Sequence, residues 1–186
     1  MRFVILLAAL LPVPALATCP PVPERSARHV ELMGLIAQAP NETQAREYSN
    51  ELWGIWGTAP DEAAQEILQR GMERRAAYDL VGAAQDFDAL IAYCPDYAEG
   101  YNQRAFINFI GQDYAAALVD LDRAIALTPD HIGAISGRAL TLLQLGRTRE
   151  GQLGLRAALA LNPWLPERNR IAPLEPATEN DGQTDL

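Results

Sequence analysis

An all-α chain of stacked helical hairpins is predicted by three regularities between Ala64 and Pro163. Prolines recur at one constant interval, at Pro95, Pro129 and Pro163. Each closes an apolar run: Ile91-Ala92-Tyr93-Cys94, Ile125-Ala126-Leu127-Thr128 and Leu159-Ala160-Leu161-Asn162. Small residues repeat in the same register at Gly71, Ala105 and Ala139, and again at Ala83, Ala117 and Gly151. Larger apolar residues do so at Phe87, Leu121 and Leu155, and at Ile91, Ile125 and Leu159.

Helical spacing supports each half of the repeat. Ile67, Gly71 and Arg74, or Tyr101, Ala105 and Asn108, mark a first helix, and Ala117, Leu121, Ala124 and Leu127 mark a second. The small residues let two antiparallel helices approach, and the larger ones fill the space between them. Proline then ends the second helix, because it cannot continue the backbone hydrogen bonds. Asp96 and Asp130, just past two of the prolines, are expected as first-turn acids of the next helix. One hairpin cannot bury its own apolar face, so neighbours must stack.

This 34-residue pattern resembles the tetratricopeptide repeat, a helix–turn–helix unit. The resemblance implies a right-handed superhelical solenoid, with three units at about 61–95, 96–129 and 130–163. Residues 24–60 read as a degenerate hairpin that caps the N-terminal end. Val30, Leu32, Met33, Leu35 and Ile36 give its first helix an apolar face, Asn41 starts its second helix, and Tyr48, Leu52, Trp53 and Trp56 form the ridge. Both tryptophans are expected in the core of that cap.

The two ends are read as accessories. Residues 1–17 have the form of a secretory signal: Arg2, an apolar run from Phe3 to Leu11, and cleavage after Ala17. Residues 18–23 follow as a proline-rich leader. The mature protein is then expected to be exported and periplasmic. Leu16-Ala17-Thr18-Cys19 also resembles the bacterial lipoprotein box, which would anchor the chain to a membrane through Cys19, although Thr18 departs from that pattern. Cys19 and Cys94 are the two cysteines, and in an oxidising compartment a disulfide between them is one reading. A buried Cys94 with a free Cys19 is the other. Residues 164–186, with Pro166, Pro173 and Pro176, are expected to form a disordered tail. Trp164, Leu165 and Ile171 are the residues able to fold back over the last hairpin.

Charge narrows the partners. The net charge is −9 and every basic residue is an arginine, so neither nucleic acid nor an anionic membrane is expected. Arg70, Arg104 and Arg138 recur at the same interval as the prolines, as do Asp86 with Asp120 and Asp88 with Asp122. These charges are read as pairs that fix the stacking register. His29 and His131 lie in different units, and no metal ligands, nucleophile–base pair or phosphate loop stand at useful spacing. No enzyme activity, cofactor or metal is expected.

What remains is a binding surface. In tetratricopeptide proteins the first helices line a concave groove for a peptide or a partner helix. The resemblance assigns to that groove Gln65, Leu68 and Met72, then Asn102, Phe106 and Phe109, then Ser136, Leu140 and Leu143. Asn102 stands where the family often hydrogen-bonds a peptide backbone, whereas the lysines of its carboxylate-binding version are missing. The expected function is a protein–protein adaptor or scaffold. The alternative is an assembly subunit that self-associates through an open C-terminal end near Trp164. The oligomeric state is left open.

Overall fold

The computed structural model describes residues 18–23 and 26–174. The signal segment 1–17 and the tail beyond residue 174 lie outside these. Among the described residues there are eight α-helices: α1 (Ala27–Ala37), α2 (Glu42–Trp56), α3 (Glu62–Ala76), α4 (Leu80–Tyr93), α5 (Ala98–Ile110), α6 (Tyr114–Leu127), α7 (Ile132–Gln144) and α8 (Thr148–Leu161). A 3-10 turn, Pro166–Arg170, follows. No strand is present among the described residues. The fold is an all-α solenoid of helical hairpins.

The helix starts follow local chemistry. Asn41, Asp61, Asp79 and Asp113 each accept a hydrogen bond from the backbone N–H three residues on, which satisfies a donor left over at the helix start. His131 does the same for α7 through Nδ1. Asp96 and Asp130 are not first-turn acids, since α5 and α7 begin two residues later. Asp96 instead pairs with Arg123, and Asp130 with His29.

Within the three hairpins α3/α4, α5/α6 and α7/α8, small residues lie against large ones. Ala64, Leu68, Ala83, Phe87 and Leu90 form one buried cluster, and Ala105, Ala117, Leu121, Ala124 and Ala134 another. The turn inside each hairpin places one residue in the left-handed region: Tyr78, Gln112 and Gly146, which share one repeat position. A bond from the following N–H to a carbonyl five residues back closes each turn, as Asp79 to Arg74, Asp113 to Asn108 and Arg147 to Leu142.

Arginines and aspartates lock the stack. Arg70 pairs with Asp86 of its own unit, and Arg104 bridges Asp120 of its own unit and Asp88 of the preceding one. Arg138 reaches back to Asp122, and Gly154 stands where its own unit's first aspartate would be. Asp120, then Asp88, hold the Arg104 guanidinium well above its ordinary value.

The first hairpin is not an N-terminal cap. In space the order runs α3/α4, α5/α6, α7/α8 and then α1/α2, because α1 packs against α8. Leu32, Ile36, Leu52 and Trp56 share one buried cluster with Ile132 of α7, and Leu161 and Leu165 pack onto it. Gly133 makes room for Trp53, whose ring would collide with a Cβ at that position. His29 Nε2 meets Asp130 Oδ2 at 3.0 Å, and the Tyr97 hydroxyl donates to the Trp56 carbonyl at 2.6 Å. The hairpin therefore covers the end of the stack that the self-association alternative would leave open.

Residues 164–174 are likewise ordered rather than tail. The Trp164 indole donates to the Ala39 carbonyl at 2.9 Å, and Arg168 pairs with Glu42. The Gln152 amide clasps the chain by donating to the Arg170 carbonyl and accepting from the Ala172 N–H. Proline-rich composition argues against helix, but here side chains of α8 satisfy the extended backbone. At the other end Cys19 and Cys94 are paired sulfur to sulfur, with Cα atoms 5.2 Å apart across 75 residues of sequence. That pairing ties the leader to the C-cap of α4.

Candidate functional site

The concave face holds a cavity of about 500 Å³. Much of its wall comes from positions of the first helices that recur with the repeat. Glu99 and Gly133 share one position, Asn102 and Ser136 the next, Met72, Phe106 and Leu140 the third, and Arg75 and Phe109 the fourth. Trp53 and Gly57 of the docked hairpin, with Glu167 of the 3-10 turn, complete it.

Six of the nine groove residues expected from sequence line this cavity: Met72, Asn102, Phe106, Phe109, Ser136 and Leu140. Three do not. Leu68 is fully buried with Phe87 and Leu90. Leu143 lies inside its hairpin against Gly151. Gln65 clasps the connection between α2 and α3, accepting from the Ala59 N–H at 2.8 Å and donating to the Gly57 carbonyl at 3.1 Å.

Sequence reasoning missed Arg75, Glu99, Gln103, Trp53 and Glu167. Arg75 and Glu99 were within reach, since they occupy the repeat positions of Phe109 and Gln65. No pattern points to Trp53 or Glu167, because the chain brings them from distant segments. Phe106 and Trp53 are the large apolar side chains left open here, at 48% and 40% exposure.

The polar floor is a connected network. Glu99, 3% exposed, accepts from Asn102 Nδ2 at 3.0 Å and from Gln103 Nε2, and lies 2.9 Å from His131 Nε2. His131 Nδ1 already accepts the Ala134 N–H, so the ring carries its proton on Nε2 and donates to Glu99. Arg75 donates to the Gln103 side-chain oxygen and lies over the Phe106 ring, 5.1 Å from its centre. Trp56 stacks on His131 at 4.2 Å, which ties the network to the docked hairpin. Burial first, and then the Glu99 charge, push the neighbouring Tyr97 phenol far above its ordinary value.

No family model matches the chain. A TPR repeat-containing protein of Rhizobium etli is 28% identical over 175 residues, covering 84% of each chain. The tetratricopeptide repeat protein 36 homolog of Nematostella vectensis is 38% identical over 76 residues, 41% of each chain. Among solved structures, the first TPR of Spaghetti (RPAP3) bound to an HSP90 peptide superposes with a TM-score of 0.56 at 20% identity, over 57% of this chain and 85% of that one. The chain is thus similar in sequence to tetratricopeptide-repeat proteins and shares their fold. A second solved tetratricopeptide domain, TPR2B of yeast Sti1 in complex with an Hsp70 peptide, gives 0.55 at 21% identity, over 60% of this chain and 91% of that one. These likenesses show the fold, an all-α tetratricopeptide-type solenoid.

Proposed function

We propose that this chain is an exported, periplasmic interaction module that holds a short segment of a partner protein in its concave cavity. The observation that carries the reading is the cavity itself. Repeated positions of α3, α5 and α7 set apolar side chains and amides around about 500 Å³, within the range of sites that take a compact ligand. The related domains of RPAP3 and Sti1 were solved with peptides, which supports a peptide as occupant. A few residues of a partner's chain fit this space.

The pairing of Cys19 with Cys94 favours export, because such bonds persist in oxidising compartments. It also counts against a lipid anchor, since a thioether to lipid would use the Cys19 sulfur. Self-association through Trp164 is disfavoured because α1/α2 and the 3-10 turn already engage that end. The test is capture of a partner from periplasmic extract by the wild-type protein and by Phe106→Glu with Phe109→Glu. Matched circular dichroism and melting of the two proteins come first. A partner held by the wild type and lost with the charged cavity is expected; capture that survives the substitutions refutes the groove.

A further inference from the structure

The cavity carries an imbalance of charge that selects among peptides. Among the described residues two carboxylates line it, Glu99 and Glu167, against a single guanidinium, Arg75. The Glu99 carboxylate is held by Asn102, Gln103 and a His131 ring that donates through Nε2 while its Nδ1 accepts, so among the described residues no cation touches it directly. A carboxylate offers about four acceptor positions, and three are filled here. Glu167 Oε2 is buried and has no hydrogen-bond partner, an arrangement that ordinarily calls for a donor. Arg75 offsets only one of the two charges, and its guanidinium is directed to the Gln103 side-chain oxygen and the face of Phe106.

Resting on the groove reading above, we propose that the occupant is a short apolar segment bearing one basic side chain. Its cation is drawn to Glu167 and Glu99, while its apolar neighbours pack on Phe106, Phe109 and Leu140. The ring of Trp53, which lines the same cavity, adds the attraction of an aromatic face for a cation. The net charge of −9 acts in the same direction at longer range, drawing basic segments in and turning acidic ones away. An acidic segment would instead bring a like charge against two carboxylates in a partly desolvated space.

A library of random linear heptapeptides displayed on phage tests this on the purified, disulfide-bonded protein. Wild type, Phe106→Glu with Phe109→Glu, and Glu167→Gln are panned in parallel, each with unchanged circular dichroism. Peptides enriched on wild type and lost on the phenylalanine variant are expected to combine apolar residues with one arginine or lysine. Synthetic copies should bind at least tenfold more tightly than counterparts with glutamate at the basic position, and Glu167→Gln should shrink that ratio at least threefold. Cavity-dependent peptides that are acidic or uncharged, or a ratio untouched by Glu167→Gln, overturn the charge proposal and leave the groove standing. Absence of any enrichment that depends on Phe106 and Phe109 overturns both.

Discussion

In the first of the three stacked hairpins a glycine and a phenylalanine meet where the others have alanine and leucine. Gly71 faces Phe87, at the repeat positions of Ala105 with Leu121 and Ala139 with Leu155. A Cβ on Gly71 would lie 2.6 Å from Phe87 Cε1 and 2.9 Å from Cζ, and Phe87 is fully buried with no room to yield. Gly71→Ala should therefore overpack the hairpin at a cost of about 2 kcal/mol. Helix propensity returns about 1 kcal/mol, leaving a net loss of about 1 kcal/mol. Phe87→Leu alone should cost about 1 to 1.5 kcal/mol, less than truncation to alanine. Combined, the new methyl occupies space the ring has left, so the double variant should fall within about 0.5 kcal/mol of wild type. The two changes then couple favourably by about 2 kcal/mol, a difference that a double-mutant cycle isolates. Urea unfolding followed by far-ultraviolet circular dichroism reads each corner of that cycle. If the two losses simply add, the close approach of Gly71 to Phe87 is not what limits this position.

Two further perturbations address the closure of the chain. Gly133→Ala drives a methyl into the Trp53 ring and should cost about 1 to 3 kcal/mol, with a red shift of tryptophan emission and faster proteolysis between α2 and α3; unchanged emission would show that Trp53 does not depend on that glycine. Reducing the bond between Cys19 and Cys94, or replacing both with serine, should lower stability by about 4 kcal/mol for a loop of this length. A loss below about 1 kcal/mol would mean that the leader adds little constraint to the unfolded chain.

What the sequence makes legible is what neighbouring residues decide. The ends of α4, α6 and α8 fall just before Pro95, Pro129 and Pro163, because proline stops a helix wherever it stands. The arginine ladder is legible for a similar reason: Arg104 stands midway in sequence between Asp88 and Asp120, one helix away in either direction. Tyr78 and Gln112 are not legible as left-handed residues, since neither is glycine, and only the closing hydrogen bonds of the turn hold them there. In the cavity, following one strict register would have found Glu99 and Arg75. It would still have included Gln65, Leu68 and Leu143, because the outer hairpins use those positions for the core or for the α2–α3 connection. Where α1/α2 docks is illegible for a deeper reason. An amphipathic ridge such as Leu52, Trp53 and Trp56 records that a face must be buried, not which distant surface buries it.

That docking joins two requirements that a repeat array normally meets separately. A stack of hairpins leaves an apolar end that must be covered, and a binding groove needs walls. Here one hairpin does both: Leu52 and Trp56 cover the end of α7 and α8, while Trp53 and Gly57 face the cavity. The Trp56 carbonyl is held by Tyr97, and Tyr97 is two residues from Glu99 on the cavity floor. His131 completes the link, since its ring stacks on Trp56 and donates to Glu99. Any change that lifts α1/α2 must therefore strip a wall from the cavity and remove the stacking partner of the histidine that holds its buried carboxylate. Ligand binding and hairpin docking share these groups, so occupancy of the cavity should protect the α2–α3 connection, and undocking should weaken the occupant's hold.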